Sequence, residues 1–344
     1  MKVVLIGLGM VAETHLAAIN EASGITLAGV LGRRAETTTE FARKAEQLLG
    51  YDVRALESVD EIADESAADF AILATPPDAR SGLVEKLADA GIPILMEKPL
   101  ERTLAAAETI VAYCEDKNVQ TGVFFQNRTR RAAVAMRQAV LAGDLGDLIM
   151  ADIRVPWWRD QSYYDEPGRG TYARDGGGVL INQAIHTIDL ALWTLGQWKD
   201  VQAKLHRTIL HRMESEDWAS ALFETASGVV GTLTATTAAY PGGAESITLH
   251  GSKAFAHLEK GVLRITHRDG TASTTGSASM SGGGADPMAF THAWHQRIIE
   301  DFSDCLKTGR EPIASARSAL MSHAVIDAME RSHMSGQRVM VTKV

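Results

Sequence analysis

Up to about residue 122 the chain alternates short, uniformly apolar runs with stretches in which apolar residues recur every three or four positions. The apolar runs fall at 2–6, 25–31, 52–55, 69–74, 92–96 and 120–125, and the helical stretches at 12–22, 35–49, 58–65, 78–90 and 103–117. Such alternation predicts parallel strands joined by right-handed helical crossovers. The runs show no polar alternation, so the sheet is expected to be covered on both faces.

Beyond residue 125 the pattern changes. A helix is predicted over 128–141, leading through Gly143-Asp144-Leu145-Gly146 into a strand over 148–155. A polar and aromatic loop follows at 156–175, then a helix over 178–195. Between 199 and 267 several segments alternate with period two, among them Trp218 to Thr225 and Gly231 to Thr237. Turn signals at Ser227-Gly228, Pro241-Gly242-Gly243 and Asp269-Gly270 separate them, so a largely antiparallel sheet is predicted. Residues 271–286, rich in Gly, Ser and Thr, are expected to form a mobile loop, and helices over 288–308 and 314–333 close the chain. The expected organisation is an α/β domain over 1–122 and an α+β domain with an open, mainly antiparallel sheet over 123–344. The C-terminal helix is free in this scheme to pack back on the first domain.

Composition narrows the field. A chain of 344 residues exceeds what one core usually serves. Hydrophobic residues at 45% and charged residues at 22% describe an ordinary globular protein. A net charge of −9 argues against nucleic acid or an anionic membrane as the main partner. Cys114 and Cys305 lie on amphipathic helical stretches and read as inert core thiols. No Cys/His cluster has zinc-ligand spacing. The chain opens straight into a strand without a leader pattern, and no apolar run reaches transmembrane length, so a cytoplasmic protein is expected.

The candidate chemistry begins at Gly7-Leu8-Gly9-Met10-Val11-Ala12, between the first strand and the first helix. This is G-x-G-x-x-A in the context a dinucleotide site requires. Gly7 permits the turn, Gly9 lets backbone approach a pyrophosphate, and Ala12 lets the helix pack closely on the strand. The helix start supplies amide donors to phosphate. An acid is expected at the end of the second strand to bind a ribose 2′-hydroxyl, but Gly32 stands there, followed by Arg33 and Arg34. Arginine pairs with a 2′-phosphate, which favours NADP over NAD. The same arginines are also compatible with a solvated helix face, or with one of them stacking on adenine in an NAD enzyme, with Glu36 as a substitute acid. Thr75-Pro76-Pro77, after the fourth strand, can line the nicotinamide ribose, although a plain β–α connection explains the prolines equally well. Glu97 and Gln126 complete the expected cofactor set.

Lys98, in Met96-Glu97-Lys98-Pro99-Leu100, follows the fifth predicted strand. Ligands of open α/β sheets bind beyond the carboxyl ends of the strands. A lysine there is placed to polarise a reacting oxygen; the plain alternative is a surface lysine. In the second half, Gly176-Gly177-Gly178 precedes a helix carrying Asn182 and His186 four residues apart on one face. The glycines are expected to leave the helix start open to a ligand. His186 suits general-base work, with Asn182 orienting it or binding a hydroxyl, and Asp189 reads as an orienting or salt-bridging group. The preceding loop, with Trp157, Trp158, Arg159, Tyr163, Tyr164, Arg169 and Thr171, suits a polyhydroxylated ligand or an oligomer interface.

Taken together, Gly7 to Ala12, Ala74-Thr75-Pro76-Pro77, Glu97-Lys98-Pro99 and Gly176 to Asp189 resemble the Gfo/Idh/MocA oxidoreductases, the group of glucose–fructose oxidoreductase and inositol dehydrogenase. The resemblance covers essentially the whole chain. It implies a Rossmann domain, a second domain whose open sheet mediates homodimers or homotetramers, and NAD(P)-dependent chemistry on a secondary alcohol of a sugar or cyclitol. It also implies that Lys98 holds and polarises the reacting oxygen, that Pro99 follows a cis bond, and that His186 exchanges the hydroxyl proton. Arg159, Tyr163, Tyr164, Arg169 and Thr171 resemble the substrate loop of a subgroup whose substrates include nucleotide sugars. Two positions depart from the family pattern: Asn182 stands where many members have aspartate, and Arg80 where a histidine is often found. The leading expectation is thus a dehydrogenase or reductase. A cofactor-binding sensor without turnover and a cofactor-retaining transfer between two sugars are the alternatives.

Overall fold

The computed structural model describes residues 1–64, 68–278 and 290–344. Its contacts divide the chain into two units, Met1–Gln126 with Thr291–Ala319, and Asn127–Phe290 with Leu320–Val344. The sequence places a single boundary near 122; in the structure the chain returns to the first unit with the helix Ala293–Thr308.

The first unit holds a six-stranded parallel sheet: β1 (Lys2–Ile6), β2 (Thr26–Leu31), β3 (Arg54–Ala55), β4 (Phe70–Leu73), β5 (Ile94–Met96) and β6 (Thr121–Val123), in the order β3-β2-β1-β4-β5-β6. This is the doubly wound order, with its switch point between β1 and β4. β1, β4 and β5 are buried almost without exception because helices cover both faces. The helix Ala12–Glu21 buries Ala12, Leu16 and Ile19 on one stripe, and His15 lies on that stripe too. The helix Ala293–Thr308 packs against it and buries Ile298, Ile299 and Phe302 in the same core.

The second unit holds a nine-stranded sheet: β7 (Leu148–Pro156), β8 (Trp198–His206), β9 (Trp218–Thr225), β10 (Val230–Thr236), β11 (Ser246–Gly251), β12 (Ala254–Glu259), β13 (Val262–His267), β14 (Ala272–Gly276) and β15 (Val339–Met340). Only the β7–β10 pair is parallel. One face buries Ile153, Ala221, Phe223, Leu233, Ile247 and Leu249, with the helices Arg131–Leu141 and Ile185–Leu195 packed on the sheet. The other leaves Met150, Leu222 and Val230 exposed. The segment expected to be a mobile loop from 271 to 286 begins instead as β14, hydrogen-bonded to β13; residues 279–289 lie outside the described residues. Among the described residues no helix is long and apolar enough to cross a membrane, and no group of three or more His, Cys, Asp or Glu is arranged to hold a metal ion. Cys114 and Cys305 are buried, and burial pushes their thiols up to about 12 and about 11, which keeps them protonated.

Candidate active site

At the carboxyl edge of the first sheet, Gly7 has φ +98°, and a Cβ there would stand 2.7 Å from the backbone of Ala74 and Thr75. Both the conformation and the close approach require glycine. A Cβ on Gly9 would meet nothing within 4 Å, so the turn leaves open space at that point. The helix that follows starts without a side-chain cap at Val11, and its Ala12 amide donates to the Gly9 carbonyl at 3.1 Å; Met10 is half exposed and Ala12 fully buried. Thr75 Oγ1 is buried without a hydrogen-bond partner among the described residues. An open glycine turn, a helix start without a side-chain cap and an orphaned hydroxyl along one sheet edge are a donor set that fits a dinucleotide.

Side chains crowd the position at the end of β2 where a ribose-binding acid is expected. A Cβ on Gly32 would lie 2.9 Å from Thr38 Oγ1 and 3.0 Å from Leu8 Cδ1, and the Gly32 amide donates to that same hydroxyl. Arg33 and Arg34 are exposed, with no side-chain ion pair among the described residues, and so is Glu36. Pro76 is exposed and Pro77 buried at the start of a short 3-10 turn; Gln126 is buried in another such turn, Gln126–Thr129.

Lys98 follows β5 and is half-buried, in a loop that includes the cis Lys98–Pro99 bond. Glu97, expected at the cofactor, points instead into the fold. Its Oε1 accepts from His15 Nε2 at 3.0 Å and pairs with His295 Nε2 at 3.6 Å, while Oε2 accepts the Lys98 amide at 3.2 Å. Burial alone would raise the Glu97 carboxyl, but the two histidines hold it well below the usual carboxylate range. Burial lowers His295 in spite of Glu97.

In the second unit the segment expected to be one α-helix begins as a π-turn, Leu180–Ala184, and continues as the α-helix Ile185–Leu195. Asn182 sits in the π-turn and His186 in the first α-turn; both are half-buried. π-turns frequently mark functional positions. The helix start is not open, contrary to expectation. The buried Glu216 carboxylate accepts the amides of Gly178 at 3.1 Å and Leu180 at 3.0 Å, and its carbonyl accepts the Val179 amide at 2.9 Å. A Cβ on Gly178 would fall 1.8 Å from the Glu216 carbonyl oxygen, so this glycine serves a protein contact. Burial raises the Glu216 carboxyl while the amides oppose the rise. Nearby, burial and the repulsion of Glu216 push Glu330 up to about 7. Asn182 donates to the carbonyls of Gly177 at 2.8 Å and Gly178 at 3.1 Å, bonds that an aspartate at this position could not donate. Asp189 is the salt-bridging group expected of it: Arg128 Nε and Nη2 reach its two oxygens at 2.8 and 2.6 Å, all within the core.

The aromatic loop splits. Arg169 donates to the Tyr163 hydroxyl at 2.8 Å and lies 4.5 Å above that ring, and Gln183 reaches the same hydroxyl at 3.3 Å. Tyr163, Arg169 and Gln183 thus form one cluster. Tyr164 departs from its expected substrate contact. It is buried, its hydroxyl bonds to Thr237 at 2.7 Å, its ring lies 4.7 Å from His211, and burial raises its pKa. Arg159 is likewise buried, donating to the Trp158 carbonyl, while its own carbonyl meets His211 Nε2 at 2.9 Å. His211 is held in turn by Asp217 at 2.8 Å. Thr171 caps the short helix Tyr172–Asp175. The polar side chains that support these loops, namely His15, Arg80, Glu216, His211 and His295, were not singled out as site residues from the sequence. Two signals were available: His15, a polar residue on a buried helical stripe, and Arg80, which departs from the family pattern.

Comparison with known proteins identifies the family. Residues 1–125 match the model of the oxidoreductase family with the NAD-binding Rossmann fold, and residues 133–257 match the GFO/IDH/MocA C-terminal domain. Among curated relatives, a D-apiose dehydrogenase of Paraburkholderia graminis is 26% identical, over 98% of this chain and 89% of its own. An inositol 2-dehydrogenase of Rhizobium meliloti is 25% identical, over 95% of each chain. The structure of the WlbA dehydrogenase from Bordetella pertussis, in complex with NADH and UDP-GlcNAcA, superposes with a TM-score of 0.81 at 26% identity, covering 100% of this chain and 99% of that one. The chain belongs to the Gfo/Idh/MocA family and is an NAD(P)-dependent oxidoreductase acting on CH–OH groups of sugars, cyclitols or their derivatives.

Proposed function

We propose that Lys98 carries the reaction of this oxidoreductase. The observation behind the proposal is its position: a lysine on a rigidly held loop just past β5, at the carboxyl edge of a doubly wound sheet. A bound nicotinamide cofactor supplies the carbon that exchanges hydride with the substrate. Gly7, Gly9, Met10, Val11 and Ala12 hold the phosphates through backbone, and Thr75 supplies its orphaned hydroxyl to the ribose side. Lys98 binds the reacting oxygen and stabilises the charge that develops on it. His186 takes the hydroxyl proton during oxidation and returns it during reduction. Asn182 fixes the turn that carries His186 through its bonds to the glycine carbonyls. Tyr163 and Arg169 bind hydroxyl groups of a polyhydroxylated substrate.

The cofactor reading is NADP. Gly32 stands where a ribose-binding acid is expected, Thr38 and Leu8 crowd that position, and two exposed arginines follow, a combination that favours a 2′-phosphate. The exposed Met150, Leu222 and Val230 on the outer face of the nine-stranded sheet support assembly into a homodimer or homotetramer. Nicotinamide absorbance tests the proposal, with NADP or NAD and a panel of sugars, cyclitols, sugar acids and nucleotide sugars. Substrate-dependent reduction of NADP is expected, and Arg33→Ala with Arg34→Ala should raise the KM for NADP about tenfold or more while sparing NAD. Equal KM values for NADP in wild type and variant would reject the cofactor reading. Cofactor binding without turnover of any panel member would favour a sensor.

A further inference from the structure

Residues 97–100 have left the sheet ladder, so their carbonyls need donors from elsewhere. One side chain supplies them. Arg80 is fully buried; the two hydrogens of its Nη1 are shared among the carbonyl oxygens of Glu97 at 2.5 Å, Leu100 at 3.1 Å and Pro99, and its Nη2 donates to the carbonyl of Thr75 at 2.6 Å. Three carbonyls beyond β5 and one beyond β4 therefore converge on a single guanidinium. The planar fork divides its donors, Nη1 serving the carbonyls beyond β5 and Nη2 the one beyond β4, while the buried Nε has no partner among the described residues; a lysine offers three donors from one point, and a neutral histidine one. The cost of the arrangement is visible, since burial lowers the guanidinium to about 10 against the pull of Glu97 and Glu101.

We infer that Arg80 is a positioning residue for Lys98, fixing the main chain on both sides of it to the Thr75 turn. The inference rests on the reading of Lys98 as the catalytic lysine. The Glu97 and Pro99 carbonyls that flank Lys98 are bound by Arg80, and its amide is bound by Glu97, which His15 and His295 lock in place. Little backbone freedom is left to the residue. Its ammonium is then presented from a preset frame, and small displacements of such a group are costly to rate.

The test uses the full-length protein as wild type, Arg80→Lys, Lys98→Met and the double variant. Folding is followed by circular dichroism and Tm, cofactor affinity by NADPH fluorescence. The environment of Lys98 is followed by the rate at which trinitrobenzenesulfonate labels it, with exposed Lys253 as internal reference. In folded Arg80→Lys the labelling rate at Lys98 should change about fivefold or more with Lys253 unchanged. With the fastest panel substrate kcat should fall about 10²-fold, while KM and cofactor affinity stay within about threefold. Adding Arg80→Lys to Lys98→Met should cost nothing further, because Arg80 acts through Lys98. An unchanged labelling rate and unchanged kcat in folded Arg80→Lys would overturn the inference, as would a loss that is fully additive with Lys98→Met. If Lys98→Met keeps wild-type turnover, the catalytic reading of Lys98 fails, while labelling still decides whether Arg80 positions it. Should Arg80→Lys not fold, Arg80→His carries the same comparison.

Discussion

The loop that carries Lys98 and the glycine run that leads to His186 are anchored by the same device with opposite sign. In the first unit a buried cation, Arg80, gathers carbonyls that strand ends leave unpaired. In the second unit a buried anion, Glu216, gathers amides that a helix start leaves unpaired. The sign of each anchor follows the polarity of the backbone it serves, since strand and helix carboxyl ends expose acceptors and helix amino ends expose donors. The difference has a consequence for pH. The carbonyl anchor keeps its charge throughout the physiological range, whereas the amide anchor sits near a second acid, Glu330, whose ionisation opposes it.

The largest loss of stability is expected away from both anchors, in the second unit. Arg128 and Asp189 pair side chain to side chain in the core. Arg128→Met leaves a buried carboxylate without its counter-ion and should cost about 3–5 kcal/mol in urea unfolding. Next comes Glu216→Ala, which strands the Gly178 and Leu180 amides and should cost about 2–4 kcal/mol by the same measurement. Glu97→Gln weakens the lock on the Lys98 amide and should cost about 1.5–3 kcal/mol at neutral pH. Because the folded-state Glu97 value is depressed, its stabilisation is complete above the ordinary value of 4.5 and is lost as the pH falls through the folded value. The gap between wild type and Glu97→Gln should therefore narrow in acid unfolding titrations below pH 4.5. Glu330→Gln should act in the opposite sense. The raised folded value means that protonated Glu330 stabilises below pH 4.5 and that this contribution is lost as the pH rises through about 7. The variant should match wild type in acid and be more stable by about 1–2 kcal/mol at pH 8, the roughly 3 kcal/mol of the full shift being reduced by solvent screening of this partly exposed side chain. Equal midpoints at pH 8 would remove Glu330 from the account.

Much of the first unit was legible because its elements announce themselves. Val3, Val4 and Leu5, or Phe70 to Leu73, are buried on both faces, and only a covered parallel strand asks for that pattern. Gly7 was legible because a tight turn and close backbone approach leave one choice of residue. The anchors were not. Arg80 lies among prolines and the start of a helix, a place where an arginine ordinarily meets water, and nothing local states that four carbonyls converge on it. Glu216 stands in a polar stretch before β9, and its partners lie 36 and 38 residues away. The π-turn at Leu180–Ala184 escaped the three-and-four spacing that marks α-helix, and with it the reason for Asn182. Tyr163 and Tyr164 are adjacent and alike, yet one joins the Arg169 cluster and the other is spent on Thr237 in the core.

The most direct measurement of the central claim is the nicotinamide absorbance of wild type and Lys98→Met side by side, with the sugar and cyclitol panel, after both are shown to bind cofactor equally. The account predicts substrate-dependent hydride transfer in the wild type that falls by about 10³-fold or more in Lys98→Met, with cofactor affinity unchanged. Turnover that survives the substitution at wild-type rate would contradict it.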